Sequence, residues 1–201
     1  LKQKIELLWQ TSPLVFAVMP AKFVFSKTLK HPSIVLSDNN TRATGGGSQA
    51  TAIIEPRLQA KRISKISLRI NKCRWILIGV CDRAEIEKRN YDYGGIDCLV
   101  SEVGEGAYTL YTSGQIYSHS ISADYNKQSG VSFRAGDVVT VELDPSTGEL
   151  RYSNQGVSYS QSTSIWSGTS RAIHFCVMLS TALDEVSMYD PIDETQTSQK
   201  Y

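Results

Sequence analysis

The sequence predicts an all-β fold: a sandwich of two antiparallel sheets, preceded by a short helix. Three observations carry it. Ile66, Leu68 and Ile70 alternate with Lys65, Ser67 and Arg69, the period of two that lays one face of a strand on a core. Residues 75–80, Trp-Ile-Leu-Ile-Gly-Val, are apolar throughout and short, which suits a strand in the middle of a sandwich. Two hairpins are legible: residues 107–111 and 115–120 flank Thr112-Ser113-Gly114, and residues 138–143 and 149–152 flank Asp144-Pro145-Ser146-Thr147-Gly148.

The elements follow in order. Leu1, Ile5 and Leu8 fall on one helical stripe, and Thr11-Ser12-Pro13 ends it. Phe23 and Phe25 alternate with small or polar neighbours, Ile34-Val35-Leu36 is a short β-branched run, and residues 37–47 read as a polar, glycine-rich loop. Residues 173–179 and 186–189 close the strand set. Many short strands with no helix pattern between them indicate a sandwich, and with no internal repeat a propeller is disfavoured. The expected organisation is a helical segment and linker at 1–20, the sandwich at 21–190, and a polar tail at 191–201 that is expected to be disordered.

Composition excludes several functions. Twenty-one basic residues face twenty acidic ones, so the net charge of +1 lacks the excess of a nucleic-acid reader. The densest basic stretch, Arg57 to Arg74, alternates with apolar residues and reads as a solvated sheet face. No apolar run approaches the roughly 18 residues that span a bilayer, so no membrane contact is expected. Cys73, Cys81, Cys98 and Cys176 form no Cys-x-x-Cys pair, and His31, His119 and His174 are scattered; no metal site is expected. Reduced thiols make the cytoplasm the expected compartment.

Several stretches, taken in order, resemble a SPRY domain with its preceding PRY element. These are His31-Pro32-Ser33-Ile34-Val35-Leu36-Ser37, Trp75-Ile76-Leu77-Ile78-Gly79-Val80-Cys81, and the run from Phe133 through Gly136-Asp137 to Asp144. Gly148-Glu149-Leu150 and Asn154-Gln155-Gly156 follow in register. The match covers about residues 23–190. The chain departs from the pattern at Asn154-Gln155-Gly156, one residue longer than the usual Asn-Gly, and at the polar segment 160–170. The resemblance implies a concanavalin-like jelly roll of two curved sheets and a binding surface built from loops at one end. It implies recognition of a protein or peptide, with no cofactor and no catalysis. In many relatives such a module reads the substrate of a ubiquitin ligase and follows a coiled coil. The stripe at Leu1, Ile5 and Leu8 would then be either the end of such a coil, through which the chain self-associates, or a docking helix of the domain.

Catalytic and ligand-binding patterns fail individually. Asp124-x-Asn126 with Gly130 misses calcium-loop register, because Ser129 and Ala135 stand at positions six and twelve. Gly45-Gly46-Gly47-Ser48 lacks the Lys-Ser/Thr ending of a phosphate loop. Glu102 and Glu105 are loop charges, and Cys176 beside His174 lies among Ile173, Phe175, Val177 and Met178, a packed interior. Recognition chemistry is better represented. Among ten tyrosines, Tyr91, Tyr93 and Tyr125 fall in expected loops, with Asp92 between the first two, and Trp166 sits in a polar segment. Asn40 and Arg42 would supply polar contacts to a peptide. The expected partner surface therefore spans loops 37–50, 90–98, 124–131 and 160–170. Two alternatives stand beside it: a structural subunit of a large assembly, contacting neighbours through its N-terminal helix and a sheet edge, and a carbohydrate-binding sandwich.

Overall fold

A computed structural model describes residues 22–92, 106–118, 126–163 and 171–190. Among them, two seven-stranded antiparallel sheets face each other. The first runs β1 (Val24–Lys30), β4 (Ala50–Glu55), β13 (Ile173–Leu179), β6 (Ile76–Asp82), β7 (Ala107–Tyr111), β8 (Gln115–Ser118), β9 (Lys127–Gln128). The second runs β12 (Val157–Ser162), β11 (Glu149–Asn154), β10 (Val138–Asp144), β5 (Ser64–Lys72), β14 (Glu185–Met188), β3 (Arg42–Thr44), β2 (Val35–Ser37).

Alternation dictates the inner faces. Ile66, Leu68 and Ile70 of β5, Val139, Val141 and Leu143 of β10, and Leu150 and Tyr152 of β11 form one core with Ile76, Ile78 and Val80 of β6 and the odd-numbered residues of β13. Tyr152 is wholly buried, and its hydroxyl crosses the sandwich to donate to the Tyr108 carbonyl at 2.9 Å. That bond satisfies a polar group whose burial would otherwise be costly.

Every residue of β6 and β13 is buried, so these strands show no polar face. The reason is a second apolar layer outside the first sheet. Ile53, Leu77, Cys81, Cys176 and Met178 lie with Leu29, Tyr117, Tyr91 and Ile86 of helix α1 (Arg83–Lys88). The absence of a helix pattern between the strands is thus corrected at one place. Helix α1 is six residues long with one buried residue, too short to display a period. Asp82 caps it, accepting from the Ala84 N–H at 3.0 Å.

The expected loop 37–47 also contains a strand, β3, which pairs with both β2 and β14. The turn before it places Asp38, Asn39 and Asn40 at φ of 52°, 55° and 64°. Asn and Asp tolerate this left-handed region better than other residues with a side chain. The extra residue at Asn154-Gln155-Gly156 resolves in the same way. Asn154 pairs with Val157, leaving Gln155 and Gly156 as a two-residue hairpin turn with both φ values positive. The helical stripe at 1–10 and the tail 191–201 lie outside the described residues.

Candidate functional site

Strand register defines two ends of the sandwich. At one end lie Glu55, Asp82 and Ile173 of the first sheet and Ser64 and Leu143 of the second; at the other lie Ala50, Ile76 and Leu179, with Lys72. The two ends differ in chemistry. The second is tied down by buried carboxylates. Asp184, with 0% exposure, accepts from the backbone N–H groups of Arg74, Trp75, Ser180 and Thr181 at 2.6–3.0 Å and from the Thr181 hydroxyl. Asp137 accepts from the Arg134 N–H and from the side-chain amides of Asn154 and Gln155. These contacts consume the polar capacity of the loops they join.

The first end holds a cleft of about 730 Å³. Its walls are Lys22 and Phe23 ahead of β1, the connection from Pro56 to Ile63, the start of β5 from Ser64 to Ser67, and Met188, Tyr189 and Asp190 after β14. Leu58 explains the shape. Its side chain is buried and its N–H donates to the Ile173 carbonyl at 2.8 Å, which pins the connection to the sandwich and leaves Arg57 and Gln59 exposed on either side. The floor is apolar: Phe23 packs edge-on against Phe175 at 5.3 Å, and Met188 rests on the core. Ile63, 57% exposed, stands on the rim.

Four cations and one carboxylate line this space: Lys22, Arg57, Arg62 and Lys65 against Asp190. Lys65 reaches Glu142 at 3.8 Å, both partly exposed, a contact of little energetic weight. Lys22, Arg57 and Arg62 form no ion pair among the described residues. The neighbouring Tyr189 ring carries the Arg69 guanidinium 4.7 Å above its centroid.

Of the residues expected from the sequence to meet a partner, the structure describes Asn40, Arg42, Tyr91 and Asp92, and these four are not brought together. Asn40 lies in the turn whose next residue, Thr41, borders the cleft, and its carbonyl accepts from the Phe25 N–H at 2.8 Å. Arg42 is already engaged, 2.8 Å from Asp38 and 3.2 Å from Glu185. Tyr91 is corrected: it is only 8% exposed and packs in the outer layer over the first sheet, with a φ of 62°. Its loop folds back over the sheet: its carbonyl accepts from Thr51 at 2.8 Å and Asp92 bridges to Ala50, toward the opposite end from the cleft. Asp92 itself is exposed. Tyr93, Tyr125 and Trp166 lie outside the described residues, as do Glu102, Glu105 and Cys98.

Read from the sequence as one solvated sheet face, the basic stretch 57–74 hides the cleft residues. Only Ser64–Lys72 is strand. Lys61, Arg62 and Ile63 break the alternation ahead of it, and that break is the available signal.

Buried titratable groups belong to packing. His174 is buried and its Nδ1–H donates to the Ile54 carbonyl at 3.0 Å. Burial disfavours the charged ring and lowers its pKa below the ordinary 6.5. The unfolded chain then takes up a proton near that pH which the folded chain refuses. Stability from this group is complete above about pH 6.5 and is lost as the pH falls below it. Urea midpoints measured across this range should fall toward acid in the wild type, and the fall should be shallower in His174→Gln. Equal slopes would assign the acid sensitivity to other groups. The Cys81 thiol is pushed well above its ordinary value by its hydrogen bond to Cys176 and by burial, and burial pushes Cys73 up to about 12. Neither is poised as a nucleophile.

No protein-family model matches the sequence. No curated protein sequence matches it either. Solved structures do. The SPRY domain of human HERC1 is 15% identical with a TM-score of 0.60, over 83% of this chain and 98% of that one. The PSpry domain of TRIM65 is 12% identical with a TM-score of 0.57, over 85% and 93%. The NEUZ (NHR) domain of Neuralized from Drosophila melanogaster is 13% identical with a TM-score of 0.55, over 88% and 96%. At such identities the likeness is one of architecture, and it joins the motif order in the sequence to the two facing sheets: the fold of this chain is SPRY-like.

Proposed function

We propose that the chain is a non-catalytic protein-interaction module whose partner, a protein or peptide, seats at the cleft end of the sandwich. One observation carries this reading: an open cleft with an apolar floor and three cations, Lys22, Arg57 and Arg62, without ion pairs among the described residues, at the end opposite the carboxylate-tied turns. Such a combination of recessed apolar surface and a few convergent polar groups suits recognition. Asn40, next to the lining residue Thr41, supplies polar contacts in this reading, and Arg42 contributes by holding the 38–41 turn through Asp38. Asp92, exposed beside Ala50, is retained as a contact away from the cleft, and Tyr93, Tyr125 and Trp166, outside the described residues, are retained as contacts on the sequence reading alone. A non-catalytic role is supported by the cleft lining, in which the titratable side chains apart from Tyr189 are Lys22, Arg57, Arg62, Lys65 and the single carboxylate Asp190. Service as the substrate-reading part of a ubiquitin ligase in the cytoplasm, with self-association through an upstream coil, is the finer form of the proposal.

Affinity purification from the native host, with the wild type and with Ile63→Glu and Tyr91→Ala variants, tests the placement. Ile63→Glu should lose the partner at an unchanged melting temperature, since the side chain is largely exposed. Tyr91→Ala should lower the melting temperature through loss of packing, by about 2 kcal/mol or more of stability. A partner retained by a folded Ile63→Glu protein would move the site elsewhere.

A further inference from the structure

We infer that the segment recognised at this cleft is an acidic peptide bearing an apolar side chain, an inference that rests on the cleft being the partner site. Three observations converge on that chemistry. The lining carries four cations against one carboxylate, although the whole chain is nearly neutral at +1. The positive charge is therefore local to the cleft lining and not a general property of the surface. Second, Lys22, Arg57 and Arg62 form no ion pair among the described residues, and Lys65 has only a long, exposed contact at 3.8 Å. Charges left uncompensated beside a concavity attract an oppositely charged ligand and steer its approach. Third, the charges surround an apolar floor of Phe23, Ile66 and Met188, with Ile63 on the rim.

A free anion would gain nothing from that floor, and a nucleic acid would need a track of cations, which the nearly neutral chain does not supply. A lipid headgroup surface would be met by protruding apolar side chains. Here Phe23, Ile66 and Met188 are instead at least partly buried. A peptide chain with one apolar residue flanked by aspartate or glutamate uses both features at once. Arginine forks at 57 and 62 suit carboxylates, which they can grip through two parallel N–H donors.

The test is selection of short random peptides displayed against the wild-type chain, followed by fluorescence anisotropy of the enriched peptides with purified variants. The enriched peptides should be rich in Asp and Glu around one apolar residue. Their affinity should fall about tenfold or more in Arg57→Glu/Arg62→Glu, and also when salt rises from about 0.05 M to about 0.5 M. Both arginines are exposed, so circular dichroism of the double variant should match the wild type. Enriched peptides that are uncharged, lost with Ile63→Glu but insensitive to the arginine reversal, would overturn the acidic chemistry and leave the cleft as the partner site. Peptides indifferent to both sets of variants would overturn both readings, and so would no enrichment at all. Adsorption to phosphatidylserine vesicles that the arginine reversal abolishes, without peptide enrichment, would overturn the inference in favour of a membrane surface.

Discussion

Replacing Gly79 with alanine should leave little or no folded protein. Gly79 lies in the middle of β6, opposite Cys176 of β13 and Thr109 of β7, so it has a paired strand on each side. A Cβ built there collides with the Tyr108 carbonyl oxygen and stands 2.9 Å from the Thr109 Cα, both backbone atoms of β7. Backbone in a central strand cannot swing aside as a flexible side chain would, so relief requires opening the β6–β7 pairing. A glycine in a strand interior frequently marks such a close approach. The expected cost is roughly 4 kcal/mol or more, a large share of the stability of an ordinary domain. Soluble yield and urea unfolding of Gly79→Ala beside the wild type check this. A variant with a wild-type midpoint would show that the strands tolerate a side chain there.

Asp184→Ala should produce the second largest loss. The carboxylate is fully buried and ties the β5–β6 turn to the β13–β14 turn by accepting from four backbone N–H groups and one hydroxyl. Removing it strands donors that have no substitute acceptor, and each buried unsatisfied donor costs about 1–3 kcal/mol. A loss of about 3 kcal/mol or more is expected, since water will satisfy some donors. Asp184→Asn preserves the volume but puts an N–H where an acceptor is needed, so it should also be destabilised, though less. Chemical denaturation of both variants gives the ranking. The result that would refute the tie is an asparagine variant as stable as the wild type. Neither change touches the cleft, which lies at the other end of the sandwich.

How much of this was readable in the sequence depended on whether an element's signal was local. Hairpins β7–β8 and β10–β11 were readable because turn residues and alternation sit within a dozen positions of each other. Strand β13 was placed residue for residue at 173–179, because its apolar run has clear polar borders. Strand β4 carried no such signal: Ala50 to Ile54 are buried on both faces, and small residues beside an Ile pair show no period. Strand β3 is three residues long and owes its existence to neighbours on both sides, β2 and β14. Tyr91 shows the same limit for function. An aromatic in a polar, glycine-flanked stretch reads as an exposed anchor, yet the chain folds back and buries it in the outer layer that also holds Ile53 and Leu77.

The sequence alone determined the sandwich, since the period of two and the turn chemistry are properties of neighbouring residues. Motif order alone carried the SPRY likeness. Only the tertiary structure decided where the uncompensated charge lies. Arg57 and Arg62 are near neighbours in the chain, but Lys22 and Asp190 are remote from them, and whether a cation stands beside a carboxylate or beside an open cleft depends on which strand ends meet in space. Coulomb interactions act through distance, and distance between remote residues is fixed by strand register.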